Sequence, residues 1–247
     1  MNTFSKIEKL RNTFRSIAVA LIDPDCKNDS ILEKKINLIN KSNFDIIFIG
    51  GSLISDDRYN NRIRYIKNNS DLPIIIFPGS SNQISKYADA LLFLSLISGR
   101  NPQYLIGEHV KSAPVIKSIG LETISTGYIL LEGGKRSSVE IISNTLPIPS
   151  DKYDIILAHA LAGQYLGNKL MFLESGSGAE NHAPIEIVKL LSSQLNIPII
   201  IGGGIRSPET AKKLSSAGAN LIVAGTLLES LPKIEDLIKF TDAIHGN

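Results

Sequence analysis

The chain of 247 residues has one cysteine, no tryptophan, almost no net charge and no long apolar run. A lone thiol, Cys26, excludes a disulfide framework within the chain and points to a reducing compartment. The 26 basic and 24 acidic residues leave +2, which argues against a nucleic-acid binder working through a broad basic field. No uncharged run approaches the ~18–20 residues that span a bilayer. Residues 1–16 mix Lys, Arg and Glu with apolar residues, unlike a secretory leader. Scarcity of apolar residues is not among the absences: at 43% hydrophobic the chain can bury a core, which excludes disorder. A cytoplasmic globular protein is expected.

One phrase recurs along the chain: a short β-rich apolar run, a loop of small polar residues, then a helical pattern. The runs are Ile17–Ile22, Asp45–Ile49, Ile74–Phe77, Ala90–Leu94, Leu121–Leu131, Lys169–Leu173, Pro198–Ile201 and Asn220–Val223. Most are continuous rather than alternating, as parallel strands covered on both faces require. Helices are expected at Ser30–Lys41, with Ser30 as N-cap, and at Pro208–Ala217, between Ser207 as cap and Gly218 as stop. Asp56, Asp57 and Arg58 read as another helix start capped by Asp. Eight strands in this length predict an α/β fold, a (β/α)8 barrel forming a single domain over residues 1–247. A doubly wound open sheet is the alternative. Only PGSSNQISKYAD lies between the third and fourth runs, too short for a covering helix with its loops, so the third helix is expected to be reduced or irregular. The long interval after Leu131 predicts a loop over 132–149 and a helix near 151–166.

In such barrels the chemistry sits at the carboxyl ends of the strands. After the seventh and eighth runs come Gly202-Gly203-Gly204 and Gly225-Thr226, about twenty residues apart, a pairing that suits a phosphate cup of free backbone N–H groups. Tight turns alone would also use these glycines. The sixth run ends Phe172-Leu173-Glu174-Ser175-Gly176-Ser177-Gly178. Glu174 at the strand end is a candidate general base, its proton affinity raised by a neighbouring anion; capping of the next turn is the plainer reading. The first run ends Asp23-Pro24-Asp25 and the second Gly50-Gly51-Ser52. A carboxylate and a hydroxyl brought together there suit magnesium completed by water and phosphate oxygens, although Asp-Pro-Asp is equally turn chemistry. Tyr128 and Phe172 would face an apolar tail or a developing carbocation near the mouth, or simply fill the core. His109, His159, His182 and His245 are scattered without metal-ligand spacing, and each is expected at the surface or satisfied. Cys26 has no His partner in its local sequence and reads as an incidental thiol.

Taken together, ALIDPD (20–25), DIIFIGGS (45–52), SGRNPQYLIGEH (98–109), ALAGQYLGNKLMFLESGSGA (160–179), IPIIIGGGIRSPETA (197–211) and LIVAGT (221–226) resemble the geranylgeranylglyceryl phosphate synthase family, heptaprenylglyceryl phosphate synthases included. The likeness covers nearly the whole chain. It implies a Mg²⁺-dependent prenyltransferase that joins the C3 hydroxyl of sn-glycerol 1-phosphate to a prenyl diphosphate and releases diphosphate. It further implies Asp23 and Ser52 as metal ligands. Phe172, Leu173, Glu174, Ser175, Gly176, Ser177, Gly178, Gly203, Gly204, Gly225 and Thr226 would form the glycerol-phosphate site, with Glu174 as base. A homo-oligomer, dimer or hexamer, and a transient membrane-surface contact for product release accompany the likeness. Many relatives carry Tyr where Phe172 stands, and one bacterial branch carries Lys where Leu21 stands. The competing readings are a phosphate-binding barrel isomerase or synthase acting on a small polar metabolite, and a phosphometabolite-binding scaffold without catalysis. An isomerase would need a closed polar pocket, whereas a prenyl acceptor needs an apolar channel.

Overall fold

The computed structural model describes residues 2–246. Its strands are β1 (Ile17–Ile22), β2 (Ile46–Ile49), β3 (Ile74–Ile76), β4 (Ala90–Leu96), β5 (Glu122–Leu130), β6 (Leu170–Glu174), β7 (Ile199–Gly202) and β8 (Leu221–Ala224). They pair in parallel, in sequence order, and close with β8 beside β1. Each expected run is therefore a strand, within two residues at either end, and the closed barrel excludes the open sheet.

Successive side chains on a strand point to opposite faces, which explains why the runs are continuously apolar. Val19, Phe48, Ile75, Leu92, Tyr128, Phe172, Ile200 and Val223 fill the barrel interior. Their neighbours in sequence, among them Ala20, Ile49, Ile76, Ile129, Leu173, Ile201 and Ala224, pack outward against the helices. Both faces are dry, so polar residues are few before the strand ends; the fully buried Thr126 of β5 satisfies its hydroxyl on the Ile124 carbonyl at 2.9 Å.

The helices are α1 (Thr3–Arg11), α2 (Asp29–Asn40), α3 (Tyr59–Asn68), α4 (Glu108–Ile119), α5 (Ser138–Ser143), α6 (Tyr153–Tyr165), α7 (Ile185–Gln194), α8 (Pro208–Ser216), α9 (Thr226–Glu229) and α10 (Ile234–His245). A π turn, Gln103–Gly107, leads into α4. Helix α1 precedes the barrel and adds Ile7 to the interior cluster. Its first amides, those of Thr3 and Phe4, donate to the Glu122 carboxylate at 2.6 and 3.0 Å, an anion at a helix start where the backbone favours one. As expected, no helix lies between β3 and β4; residues 77–89 are irregular.

Three local expectations are corrected. Helix α2 begins at Asp29, with Asn28 rather than Ser30 at the cap position and no side-chain cap bond. Asp56 does not occupy the cap position of α3, which is Arg58; its carboxylate accepts the Arg58 amide at 3.1 Å and pairs with Arg62 at 2.6 and 2.7 Å. The 132–149 loop contains a helix, α5, closed by a capping box in which Ser137 and Glu140 satisfy each other's backbone N–H.

Candidate active site

A cavity of about 770 Å³ opens at the carboxyl ends of the strands. Its polar side is lined by Asp23, Ser52, Glu174, Ser177, Gly178, Gly203, Gly204, Gly225 and Thr226. Its other lobe is mainly apolar, lined by Leu91, Phe93 and Leu94 of β4 and by Ile141 and Ile142 of α5, with Glu108 and His109 among them. Thus Asp23, Ser52, Glu174 and the glycine loops after β7 and β8 share one cavity with a mainly apolar lobe.

The grip is built from backbone. Gly203 and Gly204 sit at φ +84° and +71°, a region that only glycine adopts without strain. Among the described residues no protein acceptor takes the N–H of Gly203, Gly204, Gly225 or Thr226. Unsatisfied backbone donors lining a cavity are rare in a native fold and mark an anion site. The two loops are tied through β6: the Gly178 amide donates to the Thr226 hydroxyl at 3.2 Å. Arg206 donates to the carbonyls of Gly178 and Ala179, at 3.2 and 2.5 Å, and holds the β6 loop against the β7 loop.

Glu174 ends β6 in register with Gly202 of β7. The absence of a side chain at Gly202 makes room for it, because a Cβ there would strike the Glu174 carboxylate and the Phe172 ring. One carboxylate oxygen accepts from the Gly176 amide at 2.7 Å. Burial pushes the carboxyl up to about 7, against the opposing pull of that hydrogen bond. The cause is desolvation by the barrel wall, not the neighbouring anion expected from the sequence. The Tyr128 hydroxyl is buried without a partner and lines the same cavity. Burial and the nearby Glu174 charge both keep it protonated.

Four expected contacts are corrected. Leu173 points into the helix-facing layer, as alternation demands of a residue between Phe172 and Glu174. Phe172 is fully buried in the barrel interior, one layer deeper than Glu174, its ring stacked on Phe77 with centroids 5.0 Å apart. Neither side chain lines the cavity, and nor do Ser175 and Gly176. The core reading therefore holds for Phe172, whereas Tyr128 is both packed and exposed to the cavity.

At the ends of β1 and β2, Asp23 leans over Gly51, where a Cβ would lie 2.6 Å from its carboxylate. The missing side chain brings the β1 loop against the loop that carries Ser52. Gln83, in the irregular segment, fixes that loop by donating to the Gly51 carbonyl at 2.7 Å. Asp23 pairs with the mostly exposed Lys27 at 2.8 Å and accepts the Asp25 amide at 3.2 Å. Asp25, whose role the sequence left open, accepts the amides of Lys27 and Ser55, at 3.2 and 2.9 Å. Hydrogen bonding to Ser55 holds its carboxyl below the usual range, so it joins the two loops as an anion. Arg62, 5% exposed, braces the same loops with bonds to Asp29 at 2.5 and 2.8 Å and to Asp56. Sequence reasoning missed this clamp, since nothing in the spacing of Asp29, Asp56 and Arg62 marks it. Replacing Arg62 by Ala strands two facing carboxylates, and an unfolding midpoint lower by roughly 3–6 °C is expected in a thermal melt.

No group of three or more His, Cys, Asp or Glu side chains with metal-binding placement occurs among the described residues. The donor set at this rim, one carboxylate and one hydroxyl, fits Mg²⁺ held mainly by water and substrate oxygens rather than a caged structural ion. The histidines bear out their scatter, with one exception. His245 bonds Asp45 at 2.8 Å and His159 and His182 bond locally, whereas His109, lining the cavity, is half-satisfied: Nε2 bonds the Ser95 hydroxyl at 3.2 Å and Nδ1 is buried and unpartnered.

The sequence pattern of the PcrB family matches residues 9–243. A geranylgeranylglyceryl phosphate synthase of Chitinophaga pinensis is 46% identical over 98% of this chain and 95% of its own. One of Pyrococcus horikoshii is 41% identical over 98% of this chain and 92% of its own. Among solved structures, (S)-3-O-geranylgeranylglyceryl phosphate synthase of Thermoplasma acidophilum, in complex with its substrate sn-glycerol-1-phosphate, superposes with a TM-score of 0.90. It is 34% identical, and the match covers 100% of both chains.

Proposed function

The chain belongs to the PcrB family, with geranylgeranylglyceryl phosphate synthases as its relatives, and on that premise we propose that it is a prenyltransferase acting on sn-glycerol 1-phosphate. The C3 hydroxyl oxygen bonds to C1 of a prenyl diphosphate such as geranylgeranyl diphosphate, the C1–O bond to diphosphate breaks, and the hydroxyl proton passes to Glu174. The observation that carries this reading is the convergence, in one cavity, of four unpaired loop N–H groups, a buried carboxylate and an apolar lobe. The loop amides of Gly203, Gly204, Gly225 and Thr226 hold the phosphate. Ser177 and Gly178 border the glycerol, so that the hydroxyl is oriented toward Glu174 rather than free; orientation of this kind can be worth several kcal/mol. The Tyr128 ring and hydroxyl face the carbon that gains positive charge. The apolar lobe, which a sugar-phosphate isomerase would not need, receives the prenyl chain.

Asp23 and Ser52 would hold Mg²⁺, which when bound neutralises charge on the diphosphate leaving group. Asp23→Asn is expected to raise the magnesium concentration for half-maximal rate by about tenfold or more, with sn-glycerol 1-phosphate affinity within about threefold of wild type. An unchanged magnesium titration removes Asp23 from the metal.

No helix among the described residues is long and apolar enough to cross a membrane. We place the enzyme in the cytoplasm, with transient contact at a lipid surface when the product leaves: Leu53 and Ile141 are exposed and also line the cavity. Exposed Val110, Leu146, Tyr165 and Leu166 support a homo-oligomer. The test of the reaction is direct. Purified protein given sn-glycerol 1-phosphate, Mg²⁺ and prenyl diphosphates of several lengths should form a prenylglyceryl phosphate ether identified by mass, and release of diphosphate without ether formation would refute the assignment.

A further inference from the structure

Helix α2 buries Leu32, Lys35, Ile36 and Ile39. These positions, spaced by three and four, form the stripe that faces the barrel, and an apolar residue belongs at each. Lys35 breaks the rule. It is 1% exposed and is among the largest fully buried side chains of the protein. Stripping water from an ammonium is costly unless a partner replaces it, yet no ion pair or hydrogen bond to the Lys35 ammonium exists among the described residues. Burial pulls its proton affinity down, and the charges of Glu229 and Asp23 act on it only through space. Asp23 is already engaged by Lys27 at 2.8 Å.

A misplaced lysine in a dry interior would be a defect. This one has an outlet, because it lines the cavity beside Asp23, Thr226 and Glu229. The wall there runs between the loop after β1 and the loop after β8, which carries two of the unpaired N–H groups. The helix backbone offers Lys35 nothing, since it sits mid-helix with carbonyls already bonded.

We propose that Lys35 is an anion-binding residue of this cavity, its ammonium pairing with a phosphoryl oxygen of the bound substrate. The inference rests on the prenyltransferase reading for the identity of that substrate, and two phosphoryl groups have the required chemistry: the phosphomonoester of glycerol phosphate and the diphosphate of the prenyl donor. In either case the buried cation acquires its counter-charge only when ligand arrives, so its contribution is concentrated in binding rather than in the stability of the free protein.

The experiment compares wild type with Lys35→Met, which keeps the alkyl stem, Lys35→Gln, and Lys34→Met, a control on the exposed face of the same helix. Each is titrated calorimetrically with sn-glycerol 1-phosphate in one arm and with inorganic diphosphate plus Mg²⁺ in the other. Both Lys35 variants should bind at least one probe roughly 10–100-fold more weakly, with a shallower salt dependence, while Lys34→Met stays within about twofold. The weakened arm identifies the phosphoryl group. The unfolding midpoint of free Lys35→Met should equal or exceed that of wild type, because a desolvated charge has gone. Wild-type affinity for both probes in the Lys35 variants overturns the proposal and leaves the functional reading intact. A wild type that binds neither probe defeats the functional reading itself, and the proposal with it.

Discussion

Glu174→Gln is expected to lower kcat by about a thousandfold, within the range that a lost general base costs, and to leave sn-glycerol 1-phosphate affinity within about threefold of wild type. The amide keeps the volume and can still accept from the Gly176 amide, which now bonds the carboxylate at 2.7 Å; what it cannot do is take a proton. The wild-type rate should climb with pH through about 7, the value to which burial lifts this carboxyl, and the variant should lose that limb. Stability carries an independent signature. A carboxyl raised from 4.5 to about 7 penalises the fold as pH rises through that window, reaching about 3 kcal/mol above it. The Gln variant escapes the penalty, so at pH 8 its thermal midpoint should be at or above that of wild type. A variant that retains near-normal turnover removes Glu174 from the proton transfer.

Gly203→Ala should be almost as damaging, for a different reason. The added Cβ would lie 2.7 Å from the Glu174 carboxylate and 2.9 Å from the Gly176 amide nitrogen and carbonyl, in a backbone already at φ +84°. Both the grip and the base must shift. Affinity for sn-glycerol 1-phosphate should fall roughly 10–100-fold by calorimetry, and kcat should fall with it. Gly120 provides the control: it too has positive φ, +67°, but a Cβ there meets nothing within 4 Å. Gly120→Ala therefore carries the backbone strain alone, about 1 kcal/mol of stability, with kinetics unchanged. Equal kinetic losses in the two variants would mean that strain, not the phosphate grip, is being measured.

The barrel was readable because its strands are dry on both faces, so that Ile17–Ile22 or Ile199–Gly202 stand out as unbroken apolar runs. The two glycine loops and Glu174 were readable because chemistry in this fold collects at strand ends. What lay beyond the sequence was direction and partnership. Leu173 adjoins Glu174 in the chain but faces the opposite way, a consequence of alternation that places only every second residue in the site. Arg62 pairs with the Asp56 carboxylate across six residues of chain and also recruits Asp29, a partnership that no local pattern announces. Two signals were present and unread: the Ser137 and Glu140 spacing of a capping box announces α5, and a lysine at position 35 interrupts an otherwise apolar helical stripe.

The central claim is that the paired loops after β7 and β8 hold the phosphate while the far hydroxyl of the same molecule reaches Glu174. A crystal structure with sn-glycerol 1-phosphate bound tests it most directly. The account predicts phosphate oxygens on the amides of Gly203, Gly204, Gly225 and Thr226, with the C3 hydroxyl within hydrogen-bond reach of the Glu174 carboxylate. Phosphate bound elsewhere in the cavity, or a C3 hydroxyl turned away from Glu174, would contradict it.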